Sequence, residues 1–184
     1  MKIYETSHYT FRRLIAYIID WYLGSIVSML PFLIISLAKH IDYNNIMNLE
    51  LYSNQDLCIG MFFSLLFSLI YFLVIPFKLY DGQTIGKKIM KLKIIMNSNQ
   101  EMKILNLFLR QILFIWFVEM SLHSIGGIFN QGIFILLKFN IILFFKEMNF
   151  YVIAISVFML LVSNNHITLH DLISNTKVID LRYK

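Results

Sequence analysis

The sequence predicts an all-α, polytopic membrane protein of about four helical spans, with an amphipathic segment in a cytoplasmic loop. Three observations predict it. The 184 residues are 58% hydrophobic and only 15% charged, against roughly 45–50% and about 25% in soluble domains. The apolar residues gather in long runs rather than in short alternating ones. Lysine and arginine concentrate in some of the polar segments between those runs and avoid another, the bias that orients membrane helices.

The first run extends from Leu14 to Ala38 and holds one charge, Asp20. It exceeds the roughly 7–15 uncharged residues of a secretory signal, and no small-residue cleavage site follows it, so it is read as an uncleaved first span. Pro31 near its far end predicts a kink or an end of the helix. Residues 39–56 are Asn-rich and net acidic, with Lys39 against Asp42, Glu50 and Asp56. The second span, over 57–77, carries no charge, and Pro76 is expected to close it.

Residues 78–103 are basic, with Lys78, Lys87, Lys88, Lys91, Lys93 and Lys103 against Asp81 and Glu101. Asp81-Gly82 signals a turn, as does Asn97-Ser98-Asn99, and Thr84 is placed to cap a short helix. Ile85, Ile89 and Leu92 would share one face of that helix, with Lys87, Lys88 and Lys91 elsewhere, as in a helix lying on a membrane surface. Beyond Ile104 the chain has room for two spans with an embedded connector or for three. A third span is expected near 111–131, where Gly126-Gly127 offers a break, and a fourth near 147–163. The N-terminus, the 78–103 loop and the 164–184 tail are basic, so all three are assigned to the cytoplasm of a cell-membrane protein. That assignment requires an even number of spans. The net charge of +5 is then explained by loops facing anionic lipid rather than nucleic acid.

Arg13 and Asp20 are seven residues apart, about two turns and roughly 10 Å along one helix face, with Tyr17 between them. An acid within a span costs about 2.5–3.5 kcal/mol at the centre on insertion scales, which a cation, a cavity or protonation must offset. Asp20 is therefore either an ion or proton site or a structural bond that fixes the bundle. Arg110 and Glu119 lie two and a half turns apart and face opposite sides of a straight helix. Glu119 is a second polar candidate, for transport or for the bundle interior.

Gly82-Gln83-Thr84-Ile85-Gly86-Lys87-Lys88 approaches a phosphate loop but has three residues between its glycines and no Ser or Thr after Lys87. It is read as a turn, a cap and a surface helix. His166 and His170 are spaced to share a helix face, with Asp171 beside them, yet no third or fourth ligand accompanies them. A metal is not expected, nor another cofactor. The single cysteine, Cys58, cannot form an intrachain disulfide. No nucleophile motif is present, and enzymatic activity is not expected.

Three of these segments resemble the RDD family of membrane proteins. Arg13-Leu14-Ile15-Ala16-Tyr17-Ile18-Ile19-Asp20 is similar to the opening of that family's first span. Gly82 through Lys88, followed by Leu92-Lys93-Ile94-Ile95, is similar to its post-span loop. Leu169 through Ile179 resembles its closing His-Asp and Thr-x-Val segment. The resemblance makes Arg13, Asp20 and Asp171 the family's named arginine and two aspartates; residues 104–162 share only hydrophobicity with it. Asn175 stands where the family usually has Gly, and Ile167 and Thr168 stand where it often has a basic residue.

The resemblance implies a membrane protein, with transport, including cation–proton exchange, among the roles attached to the family. Two functions are expected from this. One is a small transporter or transporter subunit that uses Asp20 for coupling. The other is a non-catalytic partner of other membrane proteins or anionic lipids. Membrane lipids, a second copy of the chain or other membrane proteins are the expected partners.

Overall fold

The computed structural model describes residues 2–98, 103–113, 124–138, 142–162 and 167–183. The chain is mostly helical. Its first helix, α1 (Lys2–Ala38), runs 37 residues. The polar N-terminal stretch thus continues the span rather than preceding it, because nothing between Tyr4 and Arg13 breaks a helix. Of the kink or end expected at Pro31, the end does not occur there: α1 continues to Ala38. Proline deprives one preceding carbonyl of its partner, a loss that neighbouring helices and hydroxyl side chains can make good in a membrane. The carbonyl that Pro31 leaves without its helical donor is that of Val27, four residues back; Ser64 Oγ donates to the next one, Ser28 O, at 2.6 Å.

The α2 helix (Asn54–Leu69) is capped by Ser53 and continues into a wider π-helical stretch, Ile70–Leu79. Pro76 lies inside that stretch and does not close the span. The wider turn ends in longer-reaching bonds of its own: Tyr80 N donates to Ile75 O at 3.1 Å and Gly82 N to Pro76 O at 2.7 Å. The 39–56 loop is more than a polar tether. Its short 3₁₀ turns bury Ile46, Leu49 and Tyr52 with Phe32, Leu57, Met61 and Ile128.

After the basic loop come α4 (Ile104–Leu113), α5 (Ser124–Leu137) and α6 (Ile142–Val162). Gly126-Gly127 lies inside α5 and does not interrupt it. The expected third span, 111–131, passes through residues 114–123, which lie outside the described residues. Two helices, His8–Ala38 and Asn54–Leu79, are long and apolar enough to cross a membrane, and two shorter apolar helices accompany them. Only 28% and 33% of the apolar windows in the two long helices are buried, so most of that surface faces outward, unlike the core helix of a soluble protein.

A small sheet corrects the all-α expectation. Strand β1 (Leu92–Met96) pairs antiparallel with β2 (Thr176–Asp180), Leu92 opposite Asp180 and Met96 opposite Thr176. Both strands alternate in burial; Leu92, Ile94, Met96 and Val178 point inward with Ala16 and Leu107. That period-2 pattern sits in segments too short to stand out beside the spans. The predicted surface helix is cut short for the same reason. Thr84 does cap α3 (Ile85–Ile89), but Lys91 adopts φ 54° and turns the chain into β1, so Leu92 lies in a strand and not on the helix face.

Candidate functional site

The loop, the tail and the first turns of α1 meet at one end of the bundle and form a cap. Its polar interior has two halves, each centred on a buried aspartate.

Asp20 is 4% exposed and accepts from four donors. Tyr71 Oη donates to Oδ1 at 3.1 Å and Gly86 N to Oδ1 at 2.8 Å, while Thr84 Oγ1 donates to Oδ2 at 2.5 Å and Lys87 Nζ approaches Oδ2 at 3.5 Å. The loop motif supplies three of these residues because of its local geometry. Gly82 takes φ 81°, and a Cβ there would lie 2.5 Å from the Ile94 carbonyl. Ile94 N donates to Gly82 O at 2.9 Å and Gln83 Nε2 to Leu92 O at 2.7 Å, which folds the turn back onto β1. Gly86 lets α3 approach α1, where a Cβ would meet Ala16 O at 2.3 Å. Thr84 therefore caps α3 and bonds Asp20 at the same time. Lys87 is drawn inward by this docking; burial pulls its ammonium below its ordinary range, against the charge of Asp20.

Asp171, 1% exposed, holds the other half. Arg13 Nη2 reaches its Oδ2 at 2.7 Å and Arg110 Nη1 its Oδ1 at 2.6 Å. Thr168 contributes its N–H at 3.0 Å and its Oγ1 at 2.6 Å, closing the first turn of α7 (Leu169–Ile173) in the manner of a capping box. Burial raises the Asp171 carboxyl, yet Arg110, His170, Arg13 and the Thr168 bond outweigh it and hold it far below the usual carboxylate range. His170 is held well below its ordinary 6.5 by burial and by Arg110, so the imidazole is neutral at pH 7. Thr168 Oγ1 has one proton and gives it to Asp171, so it accepts from His170 Nε2–H at 2.9 Å. Arg110 Nη1 also donates to Thr176 Oγ1 at 2.6 Å at the start of β2. Tyr9 Oη donates to Val178 O at 2.6 Å, and Arg12 pairs with Asp180.

Beside the two halves lies a cavity of about 190 Å³, lined by Arg13, Lys87, Arg110 and His170 and by the apolar Leu14, Val157 and Leu160 among others. Among the described residues no group of His, Cys, Asp and Glu is arranged to hold a metal ion.

The RDD family profile matches residues 9–175, nearly the whole chain. The chain belongs to the RDD family. Neither a curated protein nor a solved structure matches it. In this RDD protein Arg13 and Asp20 do not pair with each other: Arg13 binds the tail through Asp171, and Asp20 binds the loop. Asn175, in place of the usual Gly, adopts φ 53° and makes the turn into β2, which Asn tolerates better than other side chains. Without a basic residue at Ile167 or Thr168, the cations on Asp171 come from other helices, as Arg13 and Arg110. Glu119 and His166 lie outside the described residues. Tyr71 and Gln111 are additions to the residues considered from sequence, and Arg110, considered there beside Glu119, is found on Asp171. For α4 a signal existed: Leu107, Arg110 and Gln111, spaced three and four apart, form its buried face. Tyr71 gave none, because its partner is 51 residues away.

Proposed function

We propose that this RDD protein is a non-catalytic binding protein of the cell membrane, crossing it about four times with both termini in the cytoplasm. The pairing of β1 with β2 supports this topology. It brings the loop and the tail to one side of the membrane, and Tyr9, Arg12 and Arg13 tie the start of α1 to the same cap. Even numbers of crossings on either side of the loop follow, and the basic residues of all three segments orient that side inward.

The observation that carries the binding reading is the saturation of Asp20. A carboxylate that loads and releases a cation or proton must exchange its partners in every cycle. Asp20 instead holds a hydroxyl, a phenol, a backbone N–H and an ammonium at once. That arrangement supports a latch holding the loop on α1, and it favours a rigid site over ion coupling. The partners fitting such a protein are lipids, a second copy of the chain or other membrane proteins, with no nucleic acid among them.

Reconstitution into liposomes carrying a pH-sensitive dye tests the reading. No protein-dependent, cation-driven pH change is expected, and Asp20→Asn is expected to lower thermal stability. A cation-driven pH change that disappears in an equally stable Asp20→Asn protein would overturn the reading in favour of transport.

A further inference from the structure

We infer that the cavity between α1, α4, α6 and the cap is a binding site for a phosphate-bearing anion, and specifically for the headgroup of an anionic lipid. The inference rests on the binding reading above and names its ligand.

Charge is the first support. Arg13, Arg110 and Lys87 bring three cations to the cavity, and the carboxylates they meet, Asp20 and Asp171, number two. Among the described residues one positive charge is left over, on side chains that are themselves largely buried, where an uncompensated ion is costly. Lys87 is the loosest of the three: its contacts, Asp20 Oδ2 at 3.5 Å and Thr84 Oγ1 at 3.3 Å, are long for an ammonium with three protons to give.

A spare donor is the second support. Gln111 is 8% exposed and lines the cavity, and its Nε2 has no hydrogen-bond partner among the described residues. Buried N–H groups are paired in nearly all proteins, so an orphan facing a cavity marks the place of an acceptor. A phosphate oxygen satisfies both the excess cation and the orphan donor, and cationic side chains recognise that group readily.

The third support separates a lipid from a free anion. Leu14, Val157 and Leu160 line the cavity together with the cations. Leu14 on α1 and Val157 on α6 are 37% and 42% exposed, and Phe158 and Leu161 beside Val157 on α6 are exposed as well. On this inference the mouth lies between α1 and α6, where these half-exposed lining residues meet the outward-facing apolar surface. A free phosphate gains nothing from such a wall, whereas an acyl chain leaving the headgroup lies along it.

The test uses the full-length protein in phosphatidylcholine nanodiscs. Phosphatidylglycerol and, separately, inorganic phosphate are titrated in, with retained lipid read by native mass spectrometry and with thermal stability followed in parallel. Saturable retention of phosphatidylglycerol over phosphatidylcholine is expected, with no stabilisation by inorganic phosphate. Gln111→Met keeps the volume and removes the donor, and should weaken retention about tenfold, as for one hydrogen bond to a charged group. Val157→Trp should block the mouth and do the same, while Leu161→Trp on the outer face should not. Equal retention of the two lipids by the wild-type protein would overturn the inference, as would wild-type behaviour of Gln111→Met. Saturable stabilisation by inorganic phosphate that survives Val157→Trp would overturn the lipid assignment in favour of a free anion. These outcomes are independent of the liposome pH assay, so the ligand can fail while the binding reading stands.

Discussion

Replacing Gly86 by alanine tests whether the loop docks on the first span as described. The added Cβ would lie 2.3 Å from the Ala16 carbonyl oxygen and 2.9 Å from the Asp20 Cγ. The first neighbour is α1 backbone and cannot rotate away, so α3 must retreat. Overpacking of this kind costs about 1–3 kcal/mol. Retreat also lengthens the 2.8 Å bond from Gly86 N to Asp20, a bond to a charged group of the kind worth about 1.5–3 kcal/mol. Alanine's better helix propensity returns up to about 1 kcal/mol. The net loss is about 1.5–6 kcal/mol, or at least about 3 °C in Tm for a chain of this size. Thermal unfolding in detergent, followed by tryptophan fluorescence and by loss of the monodisperse chromatographic peak, measures it. Gly127→Ala is the matched control. It lies in a helix with nothing within 4 Å of the new Cβ and should be neutral or slightly stabilising. If Gly86→Ala unfolds within about 1 °C of the wild type, the docking of α3 on α1 is wrong and the Asp20 latch falls with it.

Other outcomes follow from the same cap. Arg110→Met strands part of the Asp171 charge in a buried site and should cost about 3–5 kcal/mol in the same thermal assay; a loss under about 1 kcal/mol would refute the ion pair's role. His170 is neutral when folded and protonates more readily when unfolded, so the unfolded state gains protons first as pH falls below the ordinary 6.5. Stability should therefore drop with falling pH from there, by up to about 1.4 kcal/mol per pH unit, and His170→Gln should flatten the slope. The acid range below 3.8, where Asp171 would begin to add its own loss, is separate from this window. In a Cys58-free background, a cysteine at Ser98 should be shielded from an impermeant thiol reagent in intact cells while one at Asn45 reacts; the reverse pattern would invert the topology.

The spans were legible because a bilayer imposes one simple demand, apolar length with little charge, and residues 57–77 with none and 14–38 with only Asp20 meet it openly. Their ends were not. Pro31 and Pro76 carry the usual marks of helix termination, but both sit inside helical stretches, Pro31 in α1 and Pro76 in the wider π-helical stretch. The loop's turn and cap were legible from Asp81-Gly82 and Thr84, since these depend on neighbours in the chain. The strand after them was not. Leu92, Ile94 and Met96 alternate over only five residues, and the pairing that stabilises them lies in the tail, 84 residues on for Ile94 and Val178. Spacing alone also could not place the cations on Asp171, which come from two different helices.

The spacing of Arg13 and Asp20 takes on its meaning from what each residue holds. Side chains two turns apart on one helix face are too distant for direct contact, about 10 Å along the axis. That distance suits two separate anchors instead. Asp20 accepts from the loop through Thr84, Gly86 and Lys87, and Arg13 donates to the tail through Asp171. The loop and tail are themselves joined strand to strand, so a single stripe on α1 grips both ends of one cap. The charges alternate in the right sense: an acid meets the loop's hydroxyl, amide and ammonium donors, and a cation meets the tail's acid. Arg110 then supplies a third cation from α4, and with it the excess that distinguishes this cavity from a closed ion-pair network. A purely structural clamp needs only matched charges. The surplus cation, the orphan amide of Gln111 and the apolar mouth beside them are what a clamp leaves unexplained and a bound lipid headgroup accounts for.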